Sequence, residues 1–281
     1  MNICFFEPTA SVLGLSTYAA HNILEPLGIE MLAAFVEQHG FDASVVQQRC
    51  NSREDALGAI ARTAPQVLAI TTLTYNIDDA LWFAREAKAQ IPGLAVVLGG
   101  YHATAAPEII LQPEVDYVVV GEGEIPLLAL LTSLQRGEGA TGIPGVAVKR
   151  DGAVCLSGRA QTVESLDALP LARRYREILN ECRMHGLMYP PPSQQRAVAT
   201  VAASRGCPHA CAFCSSALIW RGTVRTRSPR AVADELVQLH DAYGVNAVFF
   251  SDLTFNASKR HTMTLCEEIA SRNLPVHFYA M

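Results

Sequence analysis

Five short apolar runs, separated by helical patterns, constrain the first half of this chain more than any other feature. They are Asn2–Phe6, Ala43–Gln47, Gln66–Thr71, Leu94–Leu98 and Tyr117–Val120. Gln66–Thr71 is apolar enough to be buried on both faces, as strands of parallel sheets are. After a long loop, Pro26–His39 places Leu32, Phe35 and Val36 on one helical face and stops at Gly40, a residue suited to a left-handed helix end. Further helices are expected at Glu54–Thr63, at about Asp78–Ala89 with Asn76 as cap, and at Pro126–Leu134. Strand–helix alternation of this kind predicts an α/β domain with a parallel sheet, and the flavodoxin-like strand order is expected.

A second run of the same type follows. Gly145–Ser157 reads as a hairpin turning at Asp151-Gly152. Leu169-Pro170 and the triplet Pro190-Pro191-Pro192 then mark an extended connection. Val198–Ala203 is a strand that runs into Arg205-Gly206-Cys207. Ser228-Pro229 opens a helix with Val232, Leu236, Leu239 and Tyr243 on one face. Ala247–Phe250 is the next strand, Ser258 opens a helix with Met263, Cys266 and Ile269 inward, and Val276–Tyr279 is a third strand. The division expected is 1–140, a hairpin and linker at 141–196, and a βαβαβ unit at 197–281. Its first loop sits at the strand end that carries the chemistry in β/α barrels.

Ligands of open α/β sheets lie beyond the carboxyl ends of the strands. There the chain has a hydroxyl-rich stretch, Thr71 to Asn76, then Gly99-Gly100-Tyr101-His102 and Gly121-Glu122-Gly123-Glu124. The paired glycines suit close approach of a bulky ligand to the backbone. No GxGxxG follows the first strand and no GxxxxGK[ST] occurs, which disfavours dinucleotide and P-loop readings.

Half of the 281 residues are hydrophobic and 17% are charged, which is globular composition. A net charge of −5 argues against a nucleic-acid-coating surface. No apolar run reaches membrane-spanning length, and MNICFFEP lacks signal-peptide features, so a cytoplasmic setting with reduced thiols is expected. Of 8 cysteines, Cys4, Cys50, Cys155, Cys182 and Cys266 are scattered and read as small buried hydrophobes. The others share one stretch, SRGCPHACAFCSS, as Cys207, Cys211 and Cys214. Structural zinc takes four ligands, and His209 is too close to Cys207 to complete a tetrahedron comfortably. A redox pair of Cys211 and Cys214 leaves Cys207 without a role. A [4Fe–4S] cluster on three thiolates accounts for all three and leaves one iron open.

Cys207-xxx-Cys211-xx-Cys214, with Phe213 before the last cysteine, resembles the signature of the radical S-adenosylmethionine (SAM) family. The stretches VRTRSPRAVADEL and VFFSDLTFN resemble segments of that family's cobalamin-binding branch. PLGIEMLAAFVEQHG, ITTLTYN, LGGYHATAAPE and DYVVVGEGE resemble the branch's B12-binding domain. The resemblance implies a flavodoxin-like B12-binding domain followed by the first half of a radical SAM β/α barrel. It implies a cluster on Cys207, Cys211 and Cys214, whose open iron chelates SAM, and SAM contacts at Phe213, Ser251 and Asp252. Leu253 stands where the branch often has a second acid. For cobalamin it implies Glu7, Pro8, Thr72, Leu73, Thr74, Tyr75, Gly99, Gly100, His102, Gly121 and Glu122. The Asp-x-His-x-x-Gly of other B12 domains is missing around His21, so cobalt is expected without a protein histidine. His102 either meets the corrin edge or hydrogen-bonds within its loop.

The activity so implied is methyl transfer to an unactivated carbon or phosphorus centre, through methylcobalamin and a 5′-deoxyadenosyl radical. The substrate expected is a small biosynthetic intermediate, with flavodoxin or ferredoxin as electron donor and no membrane or nucleic-acid partner. Oxidative cyclisation or rearrangement within the same branch is one alternative. A methylthiotransferase is another, although it needs a second cluster and only Cys4 and Cys50 precede the linker. Three barrel strands before Met281, where such barrels have six, raise the further expectation of a fragment or a cobalamin-binding module. An open edge at Val276–Tyr279 would then invite pairing with another chain.

Overall fold

A computed structural model describes residues 1–9, 24–49, 51–182 and 194–280. The chain divides into two compact units, one of Met1–Ser16 with Gly28–Val163, the other of Thr17–Leu27 with Glu164–Met281.

Among the described residues the first unit has seven strands: β1 (Asn2–Glu7), β2 (Asp42–Gln47), β3 (Val67–Thr71), β4 (Ala95–Gly99), β5 (Tyr117–Val119), β6 (Val146–Arg150) and β7 (Ala153–Leu156). They lie in the order β2-β1-β3-β4-β5-β6-β7. The first five are parallel, as the flavodoxin-like reading expects, with Ile3 opposite both Ala43 and Val67. The hairpin expected in the linker is part of this sheet, because β6 pairs antiparallel with β5 and covers its open edge. The helices are α1 (Leu27–Gln38), α2 (Arg53–Arg62), α3 (Ile77–Gln90), the short α4 (Tyr101–Ala105) and α5 (Glu124–Gln135). Cys4, Phe6, Leu68, Ile70 and Leu98 pack with Ala80, Phe83, Ala84 and Ala87 of α3. The Phe6 and Phe83 rings meet edge to face at 4.6 Å. Each large side chain so buried contributes about 1.5–3 kcal/mol. Ser52 caps α2 by accepting from the Asp55 amide at 3.0 Å. Asn76 is the N-cap residue of α3, as expected, but its side chain makes no capping bond. Its carboxamide instead accepts from Leu73 N at 2.8 Å and donates to the Pro8 carbonyl at 3.0 Å.

In the second unit, β8 (Val198–Val201), β11 (Ala247–Phe250) and β12 (His277–Tyr279) form a parallel sheet in the order β12-β11-β8. The expected strand at 198–203 ends at Val201, and the chain re-enters as β9 (Ser204–Gly206), antiparallel to β10 (Val224–Thr226). Helices α6 (Arg176–Glu181), α7 (Ser216–Trp220), α8 (Pro229–Tyr243) and α9 (Lys259–Ser271) complete it. Ser228 caps α8 through Ala231 N at 3.3 Å, and Val232, Leu236 and Leu239 are buried. On α9 the buried residue is Leu265, with Ile269 packed against the core, while Met263 is 53% exposed and Cys266 half-buried. Of the three residues expected inward, Ile269 packs on the core and Cys266 is half-buried, whereas Met263 gives way to Leu265, one turn before Ile269.

The outer edge of β8 is satisfied by buried charges. Glu25 accepts from Thr200 N at 2.6 Å and from Arg174 at 2.7 Å. Arg174 donates to the Thr200 carbonyl at 2.9 Å and to Glu235 at 2.8 Å, and Glu235 also binds Arg227. Side chains thus do what a neighbouring strand would do for an edge.

Candidate functional site

The cysteine loop leaves β9 at Gly206. This residue has φ +102°, and a Cβ there would overlap the Thr223 carbonyl of the strand pair's far side. Only glycine lets the two strands close at that point. Cys207, Cys211 and Cys214 are all free thiols, the first half-buried and the other two exposed. The Cys214 amide donates to the Cys211 carbonyl at 3.0 Å, so the CxxC segment is a turn. Cys207 Sγ lies 3.3 Å from Thr254 Oγ1, and Cys214 Sγ lies 3.1 Å from Ser216 Oγ. The Ser216 hydrogen bonds hold the Cys214 thiol below its ordinary pKa. The structure places the three thiols on one loop but does not gather them: among the described residues, no three His, Cys, Asp or Glu side chains are arranged to hold a metal. As a donor set they nevertheless fit an iron–sulfur cluster: three unpaired thiols with hydroxyl partners at two of them. His209 and Phe213 are exposed, Phe213 by 92%.

The expected SAM contacts after β11 are placed differently from one another. Ser251 is half-buried, with its amide donating to the Val201 carbonyl at 2.9 Å. Asp252 is buried, and its carboxylate accepts from Ala203 N at 3.0 Å and from the Ser204 hydroxyl. Burial pushes its pKa up, against those hydrogen bonds. This carboxylate bridges the break between β8 and β9, facing the chain rather than an open pocket. Leu253, beside it, is exposed.

In the first unit the strand-end loops are bonded pairwise. The Pro8 carbonyl, after β1, accepts from Asn76, after β3. The Thr72 hydroxyl donates to the Gly99 carbonyl at 2.7 Å and accepts from Ala103 N at 3.2 Å. The Gly121 amide, after β5, donates to Thr104 Oγ1 at 3.0 Å. Glu7, Pro8, Thr72 to Tyr75, Gly99, Gly100, His102, Gly121 and Glu122 are therefore brought to one sheet end. Their roles differ, however. Thr72 and Glu122 are buried, whereas Thr74 and Tyr75 are exposed. His102 Nδ1 sits 3.2 Å from Thr74 Oγ1, a bond within the loops. Burial raises the pKa of Glu7, against the Gln47 hydrogen bond, and partial burial with the nearby Glu7 carboxylate raises that of Tyr75. The glycine pair does not act as one. At Gly100, φ +94°, a Cβ would stand 2.7 Å from the Thr72 carbonyl oxygen, so the chain itself requires this glycine. At Gly99 the nearest atom to such a Cβ is Val119 O at 3.9 Å, which leaves room for an approaching group.

Sequence reading missed Thr254, Ser216, Asn76 and Thr104 as partners of the candidate residues. Ser216 alone carried a local signal, a hydroxyl two residues from a thiol. His21 and Cys50 lie outside the described residues.

Residues 17–131 match the B12 binding domain family. The uncharacterized methyltransferase PH0819 of Pyrococcus horikoshii is 30% identical over 91% of this chain and 54% of its own length. The anaerobic magnesium-protoporphyrin IX monomethyl ester cyclase of Cereibacter sphaeroides is 28% identical over 86% of this chain and 39% of its own. The chain thus spans about half or less of the length of these relatives. TsrM of Kitasatospora setae is a radical SAM methyltransferase solved with cobalamin and a [4Fe-4S] cluster. It shares the fold with a TM-score of 0.73 at 19% identity, over 97% of this chain and 52% of its own. Residues 17–131 thus match a B12-binding domain, relatives align along nearly the whole chain, and the fold is shared with a radical SAM methyltransferase that binds cobalamin.

Proposed function

We propose that the protein is a cobalamin-dependent radical SAM enzyme that transfers a methyl group to an unactivated carbon or phosphorus centre of a small biosynthetic intermediate. One observation carries the reading: three free thiols share a loop directly after a strand, in a chain whose residues 17–131 match the B12 binding domain. When bound, the cluster supplies the electron that breaks a C–S bond of SAM, and cobalamin supplies the methyl-carrying metal centre. Cys207, Cys211 and Cys214 hold the cluster as thiolates, and the Ser216 hydrogen bond favours that form at Cys214. Phe213, exposed beside Cys214, offers its backbone and ring to the adenine side of SAM. Asp252 acts indirectly, by holding the strand break from which the loop departs. In the first unit, Leu73, Thr74, Tyr75, Gly99 and His102 present the corrin-facing surface, while Thr72 and Gly100 keep their loops in register. Flavodoxin or ferredoxin donates the electron, and a reducing cytoplasmic setting keeps the thiols free. Among the described residues no helix is long and apolar enough to cross a membrane.

The test is anaerobic reconstitution with iron, sulfide and cobalamin, followed by SAM and a low-potential reductant. Cluster and corrin absorption together with 5′-deoxyadenosine formation are expected. Cys211→Ala abolishes cluster uptake, whereas Cys266→Ala leaves it intact. A chain that takes up neither cofactor sinks the reading. The relative named as a cyclase favours a second outcome, ring closure at the same centre. Methyl-labelled SAM separates the two, since only transfer carries label into product. The methylthiotransferase alternative loses support at Cys4, whose thiol lies buried in β1 and is pushed up to about 11 by desolvation.

A further inference from the structure

The loop after β11 is tied to the start of the cysteine loop at several points. Ser251 N donates to the Val201 carbonyl, and Asp252 accepts from Ala203 N and the Ser204 hydroxyl. Ala257 N donates to the Thr254 carbonyl at 3.1 Å, closing a turn that orients the Thr254 side chain. From that turn Thr254 Oγ1 reaches Cys207 Sγ at 3.3 Å, across 47 residues of sequence. A hydroxyl next to a thiol can donate or accept. A thiolate only accepts, so ligation of Cys207 fixes Thr254 as the donor.

We propose that Thr254 is a positioning residue that orients the Cys207 sulfur and, through a hydrogen bond to it, raises the reduction potential of a cluster held there. The inference rests on the cluster reading above. Reduction adds one electron, part of whose charge falls on the sulfurs, so a donor at sulfur stabilises the reduced form more than the oxidised one. No bond to Thr254 breaks, and its proton stays on oxygen. Removing the donor lowers the potential, and restoring a hydroxyl restores it. At Cys214 the thiol donates to Ser216 Oγ, only two residues on in the chain, whereas Thr254 reaches Cys207 from the separate loop after β11.

The experiment compares the parent 281-residue chain with Thr254→Val and Thr254→Ser, each reconstituted anaerobically with iron and sulfide. Iron content is measured, and the reduced cluster is followed by electron paramagnetic resonance during a redox titration with a chemical one-electron reductant. At a fixed potential near the parent midpoint, Thr254→Val is expected to show a reduced-to-oxidised ratio lower by up to about tenfold, equivalent to ~59 mV for one electron. Thr254→Ser is expected to titrate with the parent. Loss of cluster from the valine variant alone, with the serine variant loaded, equally supports the hydroxyl's role. Equal potentials in parent and valine variant overturn the inference while leaving the cluster reading in place, as does loss of cluster from both variants. A parent that takes up no cluster overturns the cluster reading and this inference with it.

Discussion

Asp252 looks in sequence like a polar contact for a bound cofactor, yet its carboxylate is closed in by Ala203 N and Ser204 Oγ. Asp252→Ala leaves both donors buried without a partner, and a loss of about 2–3 kcal/mol is expected in urea denaturation. Its titration gives a sharper test. Burial raises the folded-state pKa above the unfolded value, so the folded chain holds this proton over a window where the unfolded chain has released it. The stability so contributed is complete below the ordinary carboxylate range and is lost as pH rises through the raised value. The stability difference between parent and Asp252→Asn should therefore shrink with rising pH across that window. A difference that does not vary with pH would count against a perturbed Asp252. At the thiols, spacing marked the candidate ligands but not their hydroxyl partners, because Thr254 meets Cys207 only after two separate strands align.

At the scale of elements, Gly99 at the end of β4 and Gly100 just after it differ in what a side chain there would meet. Gly100→Ala places a Cβ against the Thr72 backbone at positive φ, and a loss of about 1–3 kcal/mol is expected by thermal unfolding. Gly99→Ala meets no such obstacle and should fold normally, yet weaken cobalamin binding in equilibrium titration if this backbone faces the corrin. Normal cobalamin affinity in Gly99→Ala would remove Gly99 from that surface. The parallel strands and their helices were legible because apolar runs and 3.6-residue periodicity are written along each element. On α9, Ile269 was legible as inward but Leu265 was not, since both Met263 and Leu265 are apolar and only packing selects between them. The hairpin was legible as a hairpin from Asp151-Gly152, but its attachment to β5 depends on an edge that exists only once the sheet has formed.

At the scale of the molecule, the second unit includes Glu25, far upstream of the rest of it. Glu25, Arg174, Glu235 and Arg227 form a buried network along β8, and removing one member leaves uncompensated charge. Arg174→Met is expected to cost about 3–5 kcal/mol, and adding Glu25→Gln and Glu235→Gln should recover part of it, as read from urea midpoints. A chain restricted to 164–281 lacks Glu25 and should lose the cooperative transition of its unit, as checked by circular dichroism on heating.

Hydrophobic period, turn residues and thiol spacing act between near neighbours in the chain, and from them follow the parallel α/β sheet, the strand-end loops and the three candidate ligands. The bonds that set those residues to work span long separations: 175 residues from Glu25 to Thr200, 49 from Asp252 to Ala203 and 47 from Cys207 to Thr254. Local patterns carry no record of such pairs, because each forms only where packing brings distant strand ends within hydrogen-bonding distance.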